Sequence, residues 1–257
     1  MTPYSPSIAL WTRTRREVAK IFRVWPQTLL PTAMTTALYF TIFGGLIGER
    51  IGTIDHVSYS SFIAPGLIML SVITNSYGQV SSSFYFSRFI HYIEEMLVSP
   101  MSDTLILFSY ILGGMARGIM SAILVGLVSL CFVPFTHTHL GVLITVALLT
   151  TLMFSLLGFI NGLYANNFDD ISIIPTFVLT PLTYLGGVFY SVNMLSPSWQ
   201  TVAHLNPVLY IVNVFRYGMI GMSDVPVTQA LIILSLINVV LFVLCYSLMK
   251  YGRQLRQ

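Results

Sequence analysis

Residues 104–135 carry a single charge, Arg117, and no proline before Pro134. One helix of that length is ~48 Å long, against a hydrocarbon core of ~30 Å, so the stretch belongs to a bilayer and cannot all be buried perpendicular to it. Placing Arg117 at the inner interface resolves the excess: residues 105–116 approach along the cytoplasmic surface and 118–135 span. A charge at mid-bilayer is costly unless paired, and the neighbouring spans offer no acidic partner. The whole chain agrees: 55% of its 257 residues are hydrophobic, 8% are charged and the mean hydropathy is +0.80, too little charge to wet a soluble surface.

The net charge of +3 is a report of topology. Arg13, Arg15, Arg16, Lys20 and Arg23 precede the first span and Lys250, Arg253 and Arg256 follow the last. Lysine and arginine gather on the cytoplasmic side of spans, so both termini are expected inside, the span number even, and nucleic acid no partner. No short apolar core with a small-residue cleavage site opens the chain, so no removable signal peptide is expected. Cys131 and Cys245 fall near opposite ends of their spans, too far apart for a disulfide.

Residues 7–25 read as an amphipathic helix lying in the inner interface, with Arg13, Arg16, Lys20 and Arg23 in one quadrant and Ile8, Trp11, Val18, Phe22 and Trp25 opposite. Arg15 falls on the apolar side. Spans follow at about 28–48, 61–83, 118–135, 140–164, 171–190 and 228–249. Glu49, Arg50, Asp55 and His56 form an outer loop, and Asn166 to Asp170 a short inner one. Residues 191–227, with Pro197, Pro207 and Pro226, are too broken for a span and too apolar for a plain loop. They read as short helices re-entering or resting on the outer leaflet over 191–222, where Arg216 and Asp224 form at most an exposed pair of little energetic weight. The fold class is therefore all-α, a single six-span membrane domain covering 1–257.

The two lysines, Lys20 and Lys250, follow alanine and methionine, so no glycine-rich phosphate loop exists and the chain cannot hold nucleotide itself. Five of the six spans lack an ionisable residue in their central turns, which disfavours an ion-coupled secondary carrier. His56, His137, His139 and His204 fall on the outer side without carboxylate or cysteine at ligand spacing, so no metal site is expected, and no catalytic constellation can be assembled on one side of the membrane.

Two neutral polar faces remain. Ser71, Asn75, Gln79 and Ser82 recur on one stripe of the second span, and Thr176, Thr180, Thr183 and Gly187 on the fifth. Such faces line a path for an amphipathic solute or glue helices together, and both uses are open. Asn161 and Asn238 stand alone and read as interhelical hydrogen-bond partners.

The run Leu179-Thr-Pro-Leu-Thr-Tyr-Leu-Gly-Gly-Val-Phe-Tyr190, with Leu195-Ser-Pro-Ser-Trp199, Leu205-Asn-Pro-Val-Leu-Tyr210 and Phe215-Arg-Tyr-Gly218, resembles the C-terminal signature of ABC-2 type permeases. Glu94-Glu95-Met-Leu-Val-Ser-Pro100 and Phe168-Asp-Asp-Ile-Ser172 are similar to the YadH-like bacterial inner-membrane members. The resemblance implies a homodimer docked on two copies of a separate cassette ATPase, which binds ATP and magnesium and drives export; no cofactor is expected in this chain. It places the ATPase-coupling helix on 84–99, with Arg88, Glu94 and Glu95 as charged contacts, and the connecting helix on 7–25. The proposed translocation path is Ser71, Asn75 and Gln79 facing Thr176, Thr180 and Thr183. A membrane anchor or assembly protein that transports nothing is the alternative. The neutral path points to a small amphipathic compound without excluding lipids or polysaccharides.

Overall fold

The computed structural model describes residues 6–54, 57–99, 101–134 and 139–251. Asp55, His56, Pro100, His137, Arg253 and Arg256 lie outside them. The described chain is almost wholly helical. Helix α1 (Pro6–Arg23) leads into α2 (Trp25–Tyr39), which continues through a π-helical segment (Phe40–Ile47) into α3 (Gly48–Ile51). A two-stranded hairpin, β1 (Thr53–Ile54) and β2 (Val57–Ser58), pairs Thr53 with Ser58 and Ile54 with Val57. Then come α4 (Tyr59–Phe89), α5 (Tyr92–Val98), α6 (Asp103–Leu130) and α7 (Leu140–Tyr164). Helix α8 (Phe168–Ile174) runs through a second π-helical segment (Pro175–Leu179) into α9 (Thr180–Leu185). A 3₁₀ turn (Val192–Met194), α10 (Pro197–His204), α11 (Pro207–Ile220) and α12 (Val227–Tyr251) complete the described chain.

Among the described residues four helical stretches are long and apolar enough to cross a membrane: Trp25–Ile47, α6, α7 and α12. The chain is an all-α polytopic membrane protein. Helix α4 is longer than any of the four, but its serines, Asn75 and Gln79 dilute its apolar character. It is also the most enclosed element, with buried residues along its length from Phe62 to Tyr85 and with α6 and α7 packed against it.

Close approach, not apolar gain, holds these three helices together, because lipid tails solvate leucine as well as a neighbouring helix does. Gly114 and Gly118 on α6 face side chains of both α4 and α7, Gly158 and Gly162 on α7 face the backbone of α4, and each pair is spaced by four. A Cβ on Gly158 would lie 2.5 Å from the Tyr77 carbonyl oxygen, and one on Gly162 would lie 2.8 Å from that of Ser81. The backbones therefore nearly touch. Asn161, between the two α7 glycines, donates to Ser81 Oγ (3.3 Å) and to the Ile171 carbonyl (3.2 Å), and Asn238 on α12 donates to the Leu149 carbonyl (3.2 Å). Both amides join helices, as their isolation in apolar sequence suggests.

Three local expectations change. Helix α1 docks by its polar face. Arg13, Glu17 and Ile21 are buried while Ile8, Trp11, Phe22 and Trp25 are exposed. Glu17, 1% exposed, sits 3.5 Å from Arg13 Nη2 and accepts from Lys20 Nζ (2.9 Å) and from Ser83 Oγ of α4 (2.7 Å). Arg13 Nη2 donates to Tyr110 Oη of α6 at 2.6 Å, and Arg16 Nη1 to Tyr92 Oη of α5 at 2.6 Å. One edge of the basic quadrant thus faces the protein, where Glu17 pairs with Arg13 and Lys20, while Arg16 and Arg23 stay exposed and the aromatics are left for the lipid boundary.

Second, α6 is one continuous helix from Asp103 to Leu130, so it does not divide at Arg117 into a surface approach and a span. The cost of that charge is met sideways. Arg117 Nε donates to Asn75 Oδ1 (3.2 Å) and Nη1 to Gln79 Oε1 (2.9 Å), a neutral pairing that a search for acids misses.

Third, Arg216 is no surface group. It is 1% exposed, its guanidinium carbon lies 3.8 Å from the centre of the Phe62 ring, and Nη2 donates to the Gly187 carbonyl at 2.6 Å. Asp224, 4.0 Å away, accepts from Ser191 Oγ (2.9 Å) and the Val192 amide (3.2 Å). The pair pins two loops onto α4. Helix α11 that carries Arg216 is closed at both ends, by Asn206 Oδ1 accepting from the Val208 amide and by left-handed Gly221.

Gly158→Leu is expected to lower the melting midpoint of the purified protein by several degrees, the cost of forcing a side chain into a filled contact being about 1–3 kcal/mol. Gly78→Leu, where a Cβ meets nothing within 4 Å, leaves the midpoint in place. Glu17→Ala strands buried Arg13 and costs of order 3 kcal/mol. Its signature is rapid proteolysis within residues 7–25.

Candidate functional site: a hydroxyl-bearing cavity and a clamped inner loop

A cavity of about 410 Å³ opens between α2, α4 and the α8–α9 run. Ser71 and Thr74 of α4 meet Thr176, Thr180 and Thr183 there, so four of the six proposed path residues share one surface. Asn75 and Gln79 do not line it; they hold Arg117. Asn75 links the two regions, since its Nδ2 donates to the Ser71 carbonyl (3.0 Å) and to Thr32 Oγ1 (3.4 Å), and Ser71 and Thr32 both border the cavity.

The third wall lies outside the two polar stripes seen in the sequence. Thr32, Thr35 and Thr36 of α2 face the cavity, with Tyr39 beside them. Their signal is nonetheless present: Thr28, Thr32, Thr35 and Thr36 recur at helical spacing. Most of the lining hydroxyls donate to their own helix, Thr32 to the Thr28 carbonyl (3.2 Å), Thr36 to Thr32 (2.8 Å), Ser71 to Ile68 (2.7 Å), Thr180 to Pro175 (3.0 Å) and Thr183 to Thr180 (2.8 Å). Hydroxyls satisfied in this way need no partner from another helix, which is what an open polar wall in lipid requires. Tyr39, Tyr184 and Phe189 close one end, with ring centres 5.7 Å (Tyr39 to Phe189) and 5.9 Å (Tyr184 to Phe189) apart.

At the far end of α4 the expected coupling segment 84–99 splits in two. Residues 84–89 finish α4, His91 takes a left-handed conformation (φ 56°), and α5 alone forms the short helix of the loop. Glu94 and Glu95 are exposed on it, with Glu94 Oε1 2.7 Å from His91 Nδ1. Arg88 points the other way. Its Nη1 donates to the carbonyls of Gly162 (3.1 Å), Leu163 and Ala165 (3.3 Å), the unpaired acceptors at the end of α7. A guanidinium placed there also meets the negative end of the helix dipole. Tyr85 Oη donates to the Asn166 carbonyl (3.3 Å), and Tyr85 and Phe89 pack against Phe168 at 5.0 and 5.3 Å between ring centres. One row of α4 side chains therefore grips the end of α7 and the start of α8.

Residues 8–220 match the ABC-2 type transporter family. The chain belongs to that family. It is 50% identical over 250 residues to "Inner membrane transport permease YadH" of Escherichia coli (strain K12), covering 97% of each chain. It is 28% identical over 248 residues to "Nodulation protein J" of Neorhizobium galegae, covering 95% of this chain and 92% of the relative. As an ABC-2 member it is a non-enzymatic, multi-pass permease subunit of the inner membrane.

Arg88→Met is expected to speed amide hydrogen exchange across residues 160–170 by tenfold or more, because three carbonyls lose their donor. Arg88→Lys recovers part of the protection, its ammonium keeping the charge at the end of α7 on a side chain shorter than the one that carries Nη1 to the carbonyls. Mass-spectrometric exchange on the purified protein reads both.

Proposed function

We propose that the chain is the membrane-spanning half of an exporter that moves an amphipathic substrate outward on ATP hydrolysed by a separate cassette ATPase. Two such chains work as a homodimer, with the cavity between α2, α4 and α8–α9 on the path. The observation that carries this reading is the meeting of Ser71 with Thr176, Thr180 and Thr183 in one cavity whose other walls are apolar, lined by Leu67, Leu70, Leu179 and Val188, and which stays open at its side.

In this reading the chain crosses the membrane six times, α4 and the α8–α9 run being the two spans of lower apolarity. Both termini are cytoplasmic, α1 is the connecting helix, and α10 and α11 cap the outer end within the re-entrant segment 191–222. Helix α5 is the part of 84–99 that enters the ATPase. Glu94 and Glu95 are its charged contacts, since they are exposed where Arg88 is occupied. Arg88 acts behind them, by fixing α5 relative to α7.

The test is co-expression of the permease with a cassette ATPase from the same genome, reconstituted in vesicles. The wild-type pair is expected to hydrolyse ATP faster than the ATPase alone. The double variant Glu94→Arg, Glu95→Arg is expected to insert and dimerise normally yet lose most of that stimulation. Full stimulation by the double variant would remove the coupling assignment, and a permease that never alters hydrolysis would favour the anchoring role.

A further inference from the structure

The pairing of Arg117 leaves a charge unanswered. Both acceptors, Asn75 Oδ1 and Gln79 Oε1, are neutral, and no carboxylate lies within 4.0 Å of the guanidinium among the described residues. Its Nη2 has no acceptor among those residues, and it is not one of the side-chain atoms sealed in the interior without a partner. The side chain is only partly buried. A guanidinium in this state is compensated by amide dipoles and keeps donors free for an anion.

Its depth is fixed by α1. Gly113, one turn before Arg117, is where Glu17 of α1 touches α6, a Cβ there falling 2.9 Å from that of Glu17. With Trp11, Phe22 and Trp25 exposed, α1 lies at the boundary between headgroups and acyl chains. Arg117 therefore sits about 6 Å below that boundary, within the reach of its own side chain. A helical side chain leans toward the N-terminus of its helix, which for α6 is toward α1. The contacts agree: Nε bonds Asn75 while Nη1, farther out, bonds Gln79, one turn nearer α1.

One turn beyond Gln79 on α4, next to the Ser82 of the polar stripe, is Ser83, to which Lys20 Nζ donates at 3.2 Å. Lys20 is 40% exposed. Glu17 accepts from Ser83 as well, and it is the acid that opposes an anion here, but it is shared by Arg13 and Lys20. Arg13, Lys20 and Arg117 against Glu17 leave two positive charges over. Of the other elements packed against α1, α4 and α6, α2 and α7 carry no charged side chain and α12 carries Lys250, while the exposed Glu94 and Glu95 lie on α5 and Asp103 lies ten residues before Gly113 at the start of α6.

We infer that Arg117 and Lys20, spaced along α4 by Gln79 and Ser83, form a binding site for a phosphate group presented at the leaflet on which α1 lies, the headgroup of an anionic lipid. The site does not depend on the cavity being a transport path. Inorganic phosphate offers the same chemistry without the acyl chains that would hold it at this depth.

The purified permease in dodecyl maltoside, titrated with phosphatidylglycerol or phosphatidylcholine and read by native mass spectrometry, tests this. Phosphatidylglycerol is expected to bind at least tenfold more tightly than phosphatidylcholine. Arg117→Gln is expected to erase the difference, Arg117→Lys to restore part of it, and Lys20→Gln to weaken it severalfold. Sodium phosphate added as competitor separates the sources: displacement at millimolar concentration supports a site for any phosphate, and failure to displace supports a lipid-presented one. Equal binding of the two lipids by the wild type would overturn the inference, as would an undiminished preference in either Arg117→Gln or Lys20→Gln. Because Lys20→Gln alters a half-exposed residue, it decides the matter even where Arg117→Gln does not fold.

Discussion

Hydrocarbon gives helices no apolar reason to associate, and this chain answers with contact distance. The α7 glycines let its backbone lie directly against that of α4, the α6 glycines admit side chains of α4 and α7, and the rest of the bundle is arranged around the rod so formed. Because α4 is so enclosed, its polar side chains cannot turn to water and must find partners within the protein. Asn75 and Gln79 receive Arg117, Ser81 receives Asn161, and Ser83 anchors the acid of α1. The polar stripe and the close packing are two results of one placement.

That placement explains what the sequence reveals and what it conceals. Helical class, the broken outer segment, the lack of a phosphate loop and the family signature are properties of runs and motifs, and they survive any rearrangement of neighbours. Which face of α1 turns inward is different. The amphipathic pattern of the helix identifies its apolar face, but Glu17 lies among basic residues and turns the edge carrying Arg13 inward by pairing with Arg13 and Lys20. Arg117 and Arg216 illustrate the same limit. Each is a costly charge by composition, and each is accommodated by groups distant in sequence, amides in one case and a phenyl ring with backbone carbonyls in the other.

The candidate site divides along the same line. Threonines at helical spacing on the fifth segment are legible as a face, and they do face a cavity; the α2 threonines have similar spacing but are masked by the more apolar residues of their segment. Arg88 is legible as a charge in the right loop. Its direction is not, because the carbonyls that attract it become available only where α7 ends, 74 residues further along the chain.

Two walls of the cavity contain or adjoin a π-helical segment, Phe40–Ile47 following the α2 threonines and Pro175–Leu179 between α8 and α9. A π-turn holds about one residue more than an α-turn, so each wall keeps a small reserve of length in its backbone. Passing that extra residue along the helix rotates the side chains it crosses by ~100° while every peptide group between keeps a partner. A cavity flanked by such slack can change which residues it presents without unfolding either of the helices that form it.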